Sequence, residues 1–410
     1  MNKKLSFLGR RSASSNSFRN YRLTKSHLRL FIAFLVLFAG EVSQKAQAQQ
    51  VSAASFEKDG IWSKEKANNW YKNQPWLVGA NFIPSNAINQ LEMWQADTFD
   101  PILIDKELGL AQSLGMNTMR VFLHDLAFQE DSAGFMQRLD TFLSIAKKRH
   151  IRPLIVFFDS CWDPFPKSGK QHAPKPYTHN SGWVQSPGQN ALKDSTQYGR
   201  LQNYVQTVVS KFRNDDRILG WDVWNEPDNM TGPSYEKVEI VNKVDLIIPL
   251  LKKSFSWVRS AHPVQPVTSG IWVGNWSSDG TLKPIEKLQL DQSDIISFHN
   301  YDSAAEFEKR IVYLQRYSRP IICTEYMARP NGSTFQAFLP VAKKYHVGMM
   351  NWGFVNGKSQ TIYPWDSWTK NYTSAPDLWF HDIFNTDGTP YKKEETMFIR
   401  SITTKTNRQK

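Results

Sequence analysis

Two carboxylic acids stand out because each closes a short apolar run. Trp221-Asp222-Val223-Trp224-Asn225-Glu226-Pro227 ends in Asn-Glu-Pro, and Pro320-Ile321-Ile322-Cys323-Thr324-Glu325-Tyr326 ends in Thr-Glu-Tyr. Runs of this length, bounded by loop residues, read as buried strands. A glutamate at the end of such a strand puts a carboxyl at the rim of the sheet. Strand residues alternate faces, so Asn225 and Glu226 share a direction only if the strand breaks. Pro227 supplies no ladder hydrogen bond, so the break is expected there. Two carboxyls facing each other about 5–5.5 Å apart support double displacement at an anomeric carbon, one attacking and one moving a proton. Glu226, beside an amide suited to a ring hydroxyl, is expected to move the proton, and Glu325 to attack. Either glutamate alone would read as a salt-bridged rim residue. The pair carries the chemistry.

Other residues fall where such a pair needs support. Arg120 lies in the run Asn117-Thr118-Met119-Arg120-Val121-Phe122, and a cation near Glu325 would keep it ionised. His299 and Tyr301, two apart in Phe298-His299-Asn300-Tyr301, share one face. Tyr301 is placed to bond the nucleophile and His299 the substrate. Trp352 closes the last apolar run and offers a flat ring for a sugar to stack on. Taken singly, these are a core ion-pair residue, a buried histidine and a packing indole. Their places at successive strand ends make the functional case.

The elements that must hold them repeat. Apolar runs occupy 76–81, 117–123, 152–158, 218–224, 266–270, 294–299, 320–324 and 347–352. Amphipathic segments separate most of them, carried by Ile104, Leu108, Ala111 and Leu114, by Leu139, Phe142, Leu143 and Ala146, and by Leu201, Tyr204, Val205, Val208 and Phe212. Further helices are expected over 240–258 and around Phe307, Ile311 and Leu314, and Phe335, Phe338, Leu339 and Ala342. Eight buried strands alternating with helices predict an α/β fold of the (β/α)₈ barrel type, in one domain. The rival, an open doubly wound sheet, usually has a glycine-rich phosphate turn after its first strand; Gly79-Ala80-Asn81-Phe82 is not one. The connection over 159–196 is long and rich in Pro, His, Trp and Gly. Barrel sites lie at the strand C-termini, so this loop is a candidate cleft wall.

The first 48 residues read as an export signal. A basic stretch precedes the apolar run 30–40, and Ala46-Gln47-Ala48 offers a small-x-small cleavage site. That run is shorter than the roughly 20 residues a bilayer needs. The expected mature chain is residues 49–410, secreted or periplasmic, without stable membrane insertion. Nine Lys and Arg against Glu41 alone place +8 of the chain's +12 in the signal, leaving +4. The balance therefore gives no ground for nucleic-acid binding. Cys161 and Cys323 are the only cysteines. They fall on distant elements and are expected to be free thiols. No CxxC or HExxH metal signature occurs, and the first strand lacks a His-x-His pair. No cofactor is called for, and the chain is expected to act as a monomer on a carbohydrate.

The ordered set of Arg on the second strand, Asn-Glu-Pro on the fourth, His-x-Tyr on the sixth, Thr-Glu-Tyr on the seventh and Trp on the eighth resembles clan A glycoside hydrolases. It is most similar to the cellulase-like family 5, retaining β-glycosidases with a (β/α)₈ fold. The resemblance covers nearly all of 70–390. It implies Glu226 as acid/base, Glu325 as nucleophile, and Arg120, Asn225, His299, Tyr301 and Trp352 around them. It implies hydrolysis of a β-linked glycan of mannan, xylan or β-glucan type. Transglycosylation at the same residues, or a non-catalytic carbohydrate-binding barrel, are the alternatives. One departure concerns the third strand, where many members carry a His. Here the stretch is Phe157-Phe158-Asp159-Ser160-Cys161-Trp162-Asp163, so Asp159, Trp162 or the loop residues His172 and His179 are expected to fill in at the substrate.

Overall fold

The computed structural model describes residues 60–404; the expected signal, 1–48, lies outside the described residues. Eight strands form one parallel sheet: β1 Val78–Asn81, β2 Thr118–Phe122, β3 Arg152–Asp159, β4 Gly220–Asn225, β5 Val267–Thr268, β6 Ile296–His299, β7 Ile321–Glu325 and β8 Gly348–Asn351. Neighbours run β5-β4-β3-β2-β1-β8-β7-β6, each pair parallel. Helices follow the strands, at Pro101–Ser113, Ser132–Lys148, Tyr198–Phe212, Lys243–Ser260, Pro284–Gln292, Ala304–Leu314, Phe335–Tyr345 and Lys393–Thr404. Each expected run holds one strand, and each expected helix forms.

Local chemistry explains several boundaries. Asp100 caps Pro101–Ser113 by accepting from the Ile102 and Leu103 amides, with Pro101 in the first turn, where its missing N–H costs nothing. Gly115, just past that helix, has φ +72°, a left-handed turn that glycine enters without strain. Gly79 serves close approach instead. A Cβ there would lie 1.8 Å from the Thr118 carbonyl oxygen, so only glycine lets β1 lie against β2 in this register.

The barrel interior is packed rather than open. Leu77, Leu154, Leu219, Ile295, Ile322 and Met350 fill its lower end, closed by Tyr71 from the helix Lys64–Lys72. Tyr71 bonds the His346 carbonyl at 2.9 Å. Above this apolar layer lies a charged one, built on Arg120, and above that the mouth.

The ring closes unevenly between β5 and β6. The run 266–270 yields a strand of only two residues. Side chains from elsewhere take the bonds that a longer ladder would use: Ser293 Oγ accepts from the Ser269 amide, and Gln289 donates to the Gly270 carbonyl at 2.6 Å. Closure rests on a few backbone bonds, Asp294 N to Val267 O, Ile271 N to Ser297 O and His299 N to Ile271 O. A hydroxyl pair, Thr268 and Ser297, adds a contact at 2.7 Å.

Candidate active site

The charged layer is organised around one guanidinium with no exposed surface. Arg120 presents five N–H donors, and five bonds leave it. Nε and Nη2 bond Asp222 Oδ2 at 3.0 and 2.9 Å, and Nη2 also bonds Asn225 Oδ1 at 2.8 Å. Nη1 bonds Asn81 Oδ1 at 3.1 Å and Glu325 Oε1 at 2.8 Å. The ends of β1, β2, β4 and β7 thus meet on a single cation.

Glu325 closes β7. Its second oxygen accepts from the Tyr301 hydroxyl at 2.8 Å. Burial and two nearby carboxylates push the Tyr301 phenol well above its usual range, so it stays protonated and donates. A β-bulge between Phe298 and His299 brings His299 opposite Glu325, re-aiming the imidazole as bulges do.

Glu226 follows β4, which ends at Asn225. Its backbone has φ +43°, the left-handed region that side chains other than glycine rarely enter. The expected break at Pro227 is therefore a turn at Glu226 itself, and it aims both Asn225 and Glu226 into the mouth. Oε1 of Glu226 lies 2.7 Å from His299 Nδ1, and Oε2 accepts from Asn229 at 2.6 Å and from the Cys161 thiol at 3.3 Å. Oxygen and nitrogen atoms of Glu226, His299 and Glu325 lie within 4.8 Å of one another. These oxygens already accept from protein donors, and Arg120 stands beside them, so the cluster is set up for protons rather than for a cation.

Electrostatics separates the two acids. Burial raises Glu226 to about 7. Burial and the neighbouring Glu226 also raise Glu325, opposed by Arg120 and Tyr301. Two carboxylates this close in a dry site share a proton. Glu325 touches a guanidinium and Glu226 only neutral donors, so the proton belongs on Glu226 and the charge on Glu325. Burial drops His299 to about 4, leaving it neutral, with Nε2 bonded to no protein group among the described residues.

A cavity of about 260 Å³ opens over the pair, lined by Asn225, Glu226, Glu325, Tyr301 and Trp352, with Trp162, His179 and Asn180 from the long loop. Trp272, Trp365 and Trp368 complete its aromatic walls. Trp352 is held by edge contacts to Phe122 and Trp183. Trp94, Trp183 and Trp276 are buried packing residues.

Arg120 stands beside Glu325 as expected, 2.8 Å away, beneath the cavity lining rather than in it. Asp159 was expected at the substrate, but it is buried behind the lining residues with its polar atoms engaged by protein. Asp159 accepts from Asn225, from the Cys161 amide, and from Trp183 Nε1 at 2.6 Å, so it orients the wall instead of touching the cavity. His172 lies apart, beside a different surface cavity. Cys161, two residues past β3, turns its thiol to Glu226 at 3.3 Å, and burial keeps that thiol neutral. Both cysteines are free and buried. Asn81, Asp222 and Asn229 were not foreseen as site residues. Asp222 sat inside the Trp221–Pro227 stretch, and its acidic side chain amid apolar residues was a signal. Asn229 lies in a loop and gave none.

A parallel barrel with two facing carboxyls over its strand ends, one held by a buried arginine, defines a barrel hydrolase of the two-carboxylate type. A model of the cellulase family, glycosyl hydrolase family 5, matches residues 92–371; the chain belongs to that family. A curated relative, mannan endo-1,4-beta-mannosidase F of Aspergillus clavatus, is 28% identical over 160 residues, 38% of this chain and 32% of that protein. The chain thus matches about a third of that relative's length. The fold resembles the endo-beta-1,4-mannanase of Thermotoga petrophila, with TM-score 0.52 and 15% identity over 82% of this chain and 78% of that one. It also resembles the endo-1,4-beta-mannanase of Rhizomucor miehei, with TM-score 0.51 and 13% identity over 81% and 98%.

Proposed function

We propose that the protein is an exported, retaining β-glycoside hydrolase, with β-mannosides the first substrates to try. The carrying observation is the carboxyl pair within 4.8 Å. Inverting enzymes separate their carboxyls by about 6.5–9.5 Å to admit a water, whereas one oxygen of Glu226 and one of Glu325 here approach within 4.8 Å. Glu325 attacks the anomeric carbon from below while Glu226 protonates the departing oxygen. Water then enters where the leaving group stood, gives its proton to Glu226, and displaces Glu325. Asn225, held by Arg120 and Asp159, presents its amide to the ring. The curated relative's activity on mannan favours that sugar. The decisive experiment is proton NMR in the first minutes on a panel of β-mannan, xylan and β-glucan oligomers. The first product should be the β-anomer. An α-anomer appearing first would refute double displacement.

The raised pKa of Glu226 sets a pH limit. The acid form serves the first step, and its population falls tenfold per unit above about 7. On natural glycosides kcat/KM should decline with that slope on the alkaline side. In Glu226→Gln, assayed on a dinitrophenyl glycoside whose leaving group needs no proton, the alkaline limb of the first step should vanish. A limb unchanged in that variant would assign the titration to another group.

Among the described residues, no helix is long and apolar enough to cross a membrane. The basic, apolar, Ala-x-Ala order of the first 48 residues supports export with cleavage after Ala48. The N-terminus of the exported form should read Gln49 onward, and an intact Met1 recovered in membranes would contradict this.

A further inference from the structure

Over β1 and β2 the cavity is walled off. The closure is made by the chain after β3 meeting the chain after β8. The Asn180 amide bonds the Ser359 carbonyl at 2.9 Å, the His179 amide bonds Ser367 Oγ at 3.0 Å, and Trp368 Nε1 bonds the His179 carbonyl at 2.8 Å. Gln360 stitches the same seam, donating to the carbonyls of Lys175 and Thr178 at 2.7 and 3.0 Å. Trp162 from the first segment stacks on Trp368 from the second, ring centres 5.6 Å apart and planes 14° off parallel. Strands β1 and β2 lie between β3 and β8 in the sheet, so this seam bridges across their ends.

That bridge removes a path. Among the described residues, none from the segments 82–94 or 123–130, which follow β1 and β2, lines the cavity. The space over those strands is a separate, much smaller hollow, partitioned from the cavity by Asn180 and Trp352. The wall is also pinned from below. Lys358 N bonds the Ser85 carbonyl at 2.9 Å, and Asn89 bonds the Gly182 carbonyl at 2.9 Å.

On the other side the lining comes from Thr231, Pro233, Ser234 and Trp272, after β4 and β5. The proton donor must touch the leaving oxygen, and Glu226 stands at the end of β4. The departing part of a glycan therefore runs out over β4 and β5. On that course the ring carrying the reacting carbon would lie against the bridge, where Asn180 and Trp352 separate the cavity from the small hollow over β1 and β2. The blind end is polar. Among the described residues Asn180 Oδ1 is buried without a protein partner, an acceptor suited to a hydroxyl.

We infer that this site takes the non-reducing end of a β-linked chain and releases one sugar at a time. The inference rests on the proposed glycosidase reading and specifies how its substrate enters. The chemistry balances as above: the bond from C1 to the bridging oxygen breaks, a water supplies the new hydroxyl, and the shortened chain keeps its own reducing end.

The test uses β-1,4-linked mannohexaose, xylohexaose and cellohexaose in parallel, each also in borohydride-reduced form, beside a panel of aryl β-glycosides. From the hexaose that is cut, the free monosaccharide should be the only small product in the first minutes. Its reduced form should shorten one residue at a time and retain its alditol. Di- or trisaccharides among the first products overturn end-on action and leave the carboxyl pair's role standing. Cleavage of aryl glycosides but of no hexaose likewise overturns the chain-end assignment. Cleavage of nothing on the panel, by a protein shown to be folded, overturns the glycosidase reading itself.

Discussion

Glu325→Ala should abolish turnover of every glycoside, whatever its leaving group, by roughly 10⁶-fold, the scale on which loss of a covalent nucleophile is felt. Glu226→Ala should behave differently because it removes only proton transfer. On natural glycosides the cost should be about 10²–10⁴-fold. On a dinitrophenyl glycoside the first step should survive and the second become limiting, giving a burst and a low KM. Azide needs no base. It should accelerate Glu226→Ala by capturing the α-linked glycosyl-enzyme, yielding a β-glycosyl azide. In Glu325→Ala azide takes the vacant place below the ring and yields the α-azide. The contacts support this division: the guanidinium 2.8 Å from Glu325 favours a charge, and the neutral donors around Glu226 tolerate a proton. Azide products with exchanged configurations would reverse the assignment.

Arg120→Met should damage both stability and activity. The side chain holds Asp222 and Glu325 with no solvent contact at the cation. Removing one partner of a buried ion pair typically costs about 3–5 kcal/mol, because the other charge is stranded. Here two carboxylates lose their cation. A thermal unfolding midpoint lowered by several degrees is expected. Arg120→Lys separates the two effects. An ammonium keeps the charge but cannot bond Asp222, Asn225, Asn81 and Glu325 together. It should recover much of the stability while kcat stays low. If Arg120→Lys is as active as the parent, the five-bond arrangement has no role in positioning Glu325.

The barrel was legible because the strands are buried almost throughout and the expected helices show an apolar stripe. Glu226 and Glu325 were legible because a carboxyl closing an apolar run has few uses. The role of Asp159 was misplaced by one layer. Sequence puts a charged residue near the mouth but cannot say whether its side chain ends in the cavity or beneath it, and only the partners Asp222, Asn225 and Trp183 decide that. The short β5 was hidden as well. Its composition suits a longer strand, and what cuts it short is Ser293 and Gln289, over twenty and nearly twenty residues later in the chain. The same distance hides the stitching of 175–180 to 359–368, since loop-to-loop bonds leave no periodicity to read.

The uneven closure of the ring between β5 and β6 bears on how the molecule breathes. Local opening begins where few backbone bonds must break together, and this is the thinnest join in the barrel. The join is also next to the reacting groups: the His299 amide is one of its few bonds, and Trp272 stands just beyond it on the exit side. A glycan spanning from Glu325 to Trp272 would lie across this gap as an external clasp. Occupancy by the chain would then quiet the weakest part of the wall, and each departure of product would loosen it again.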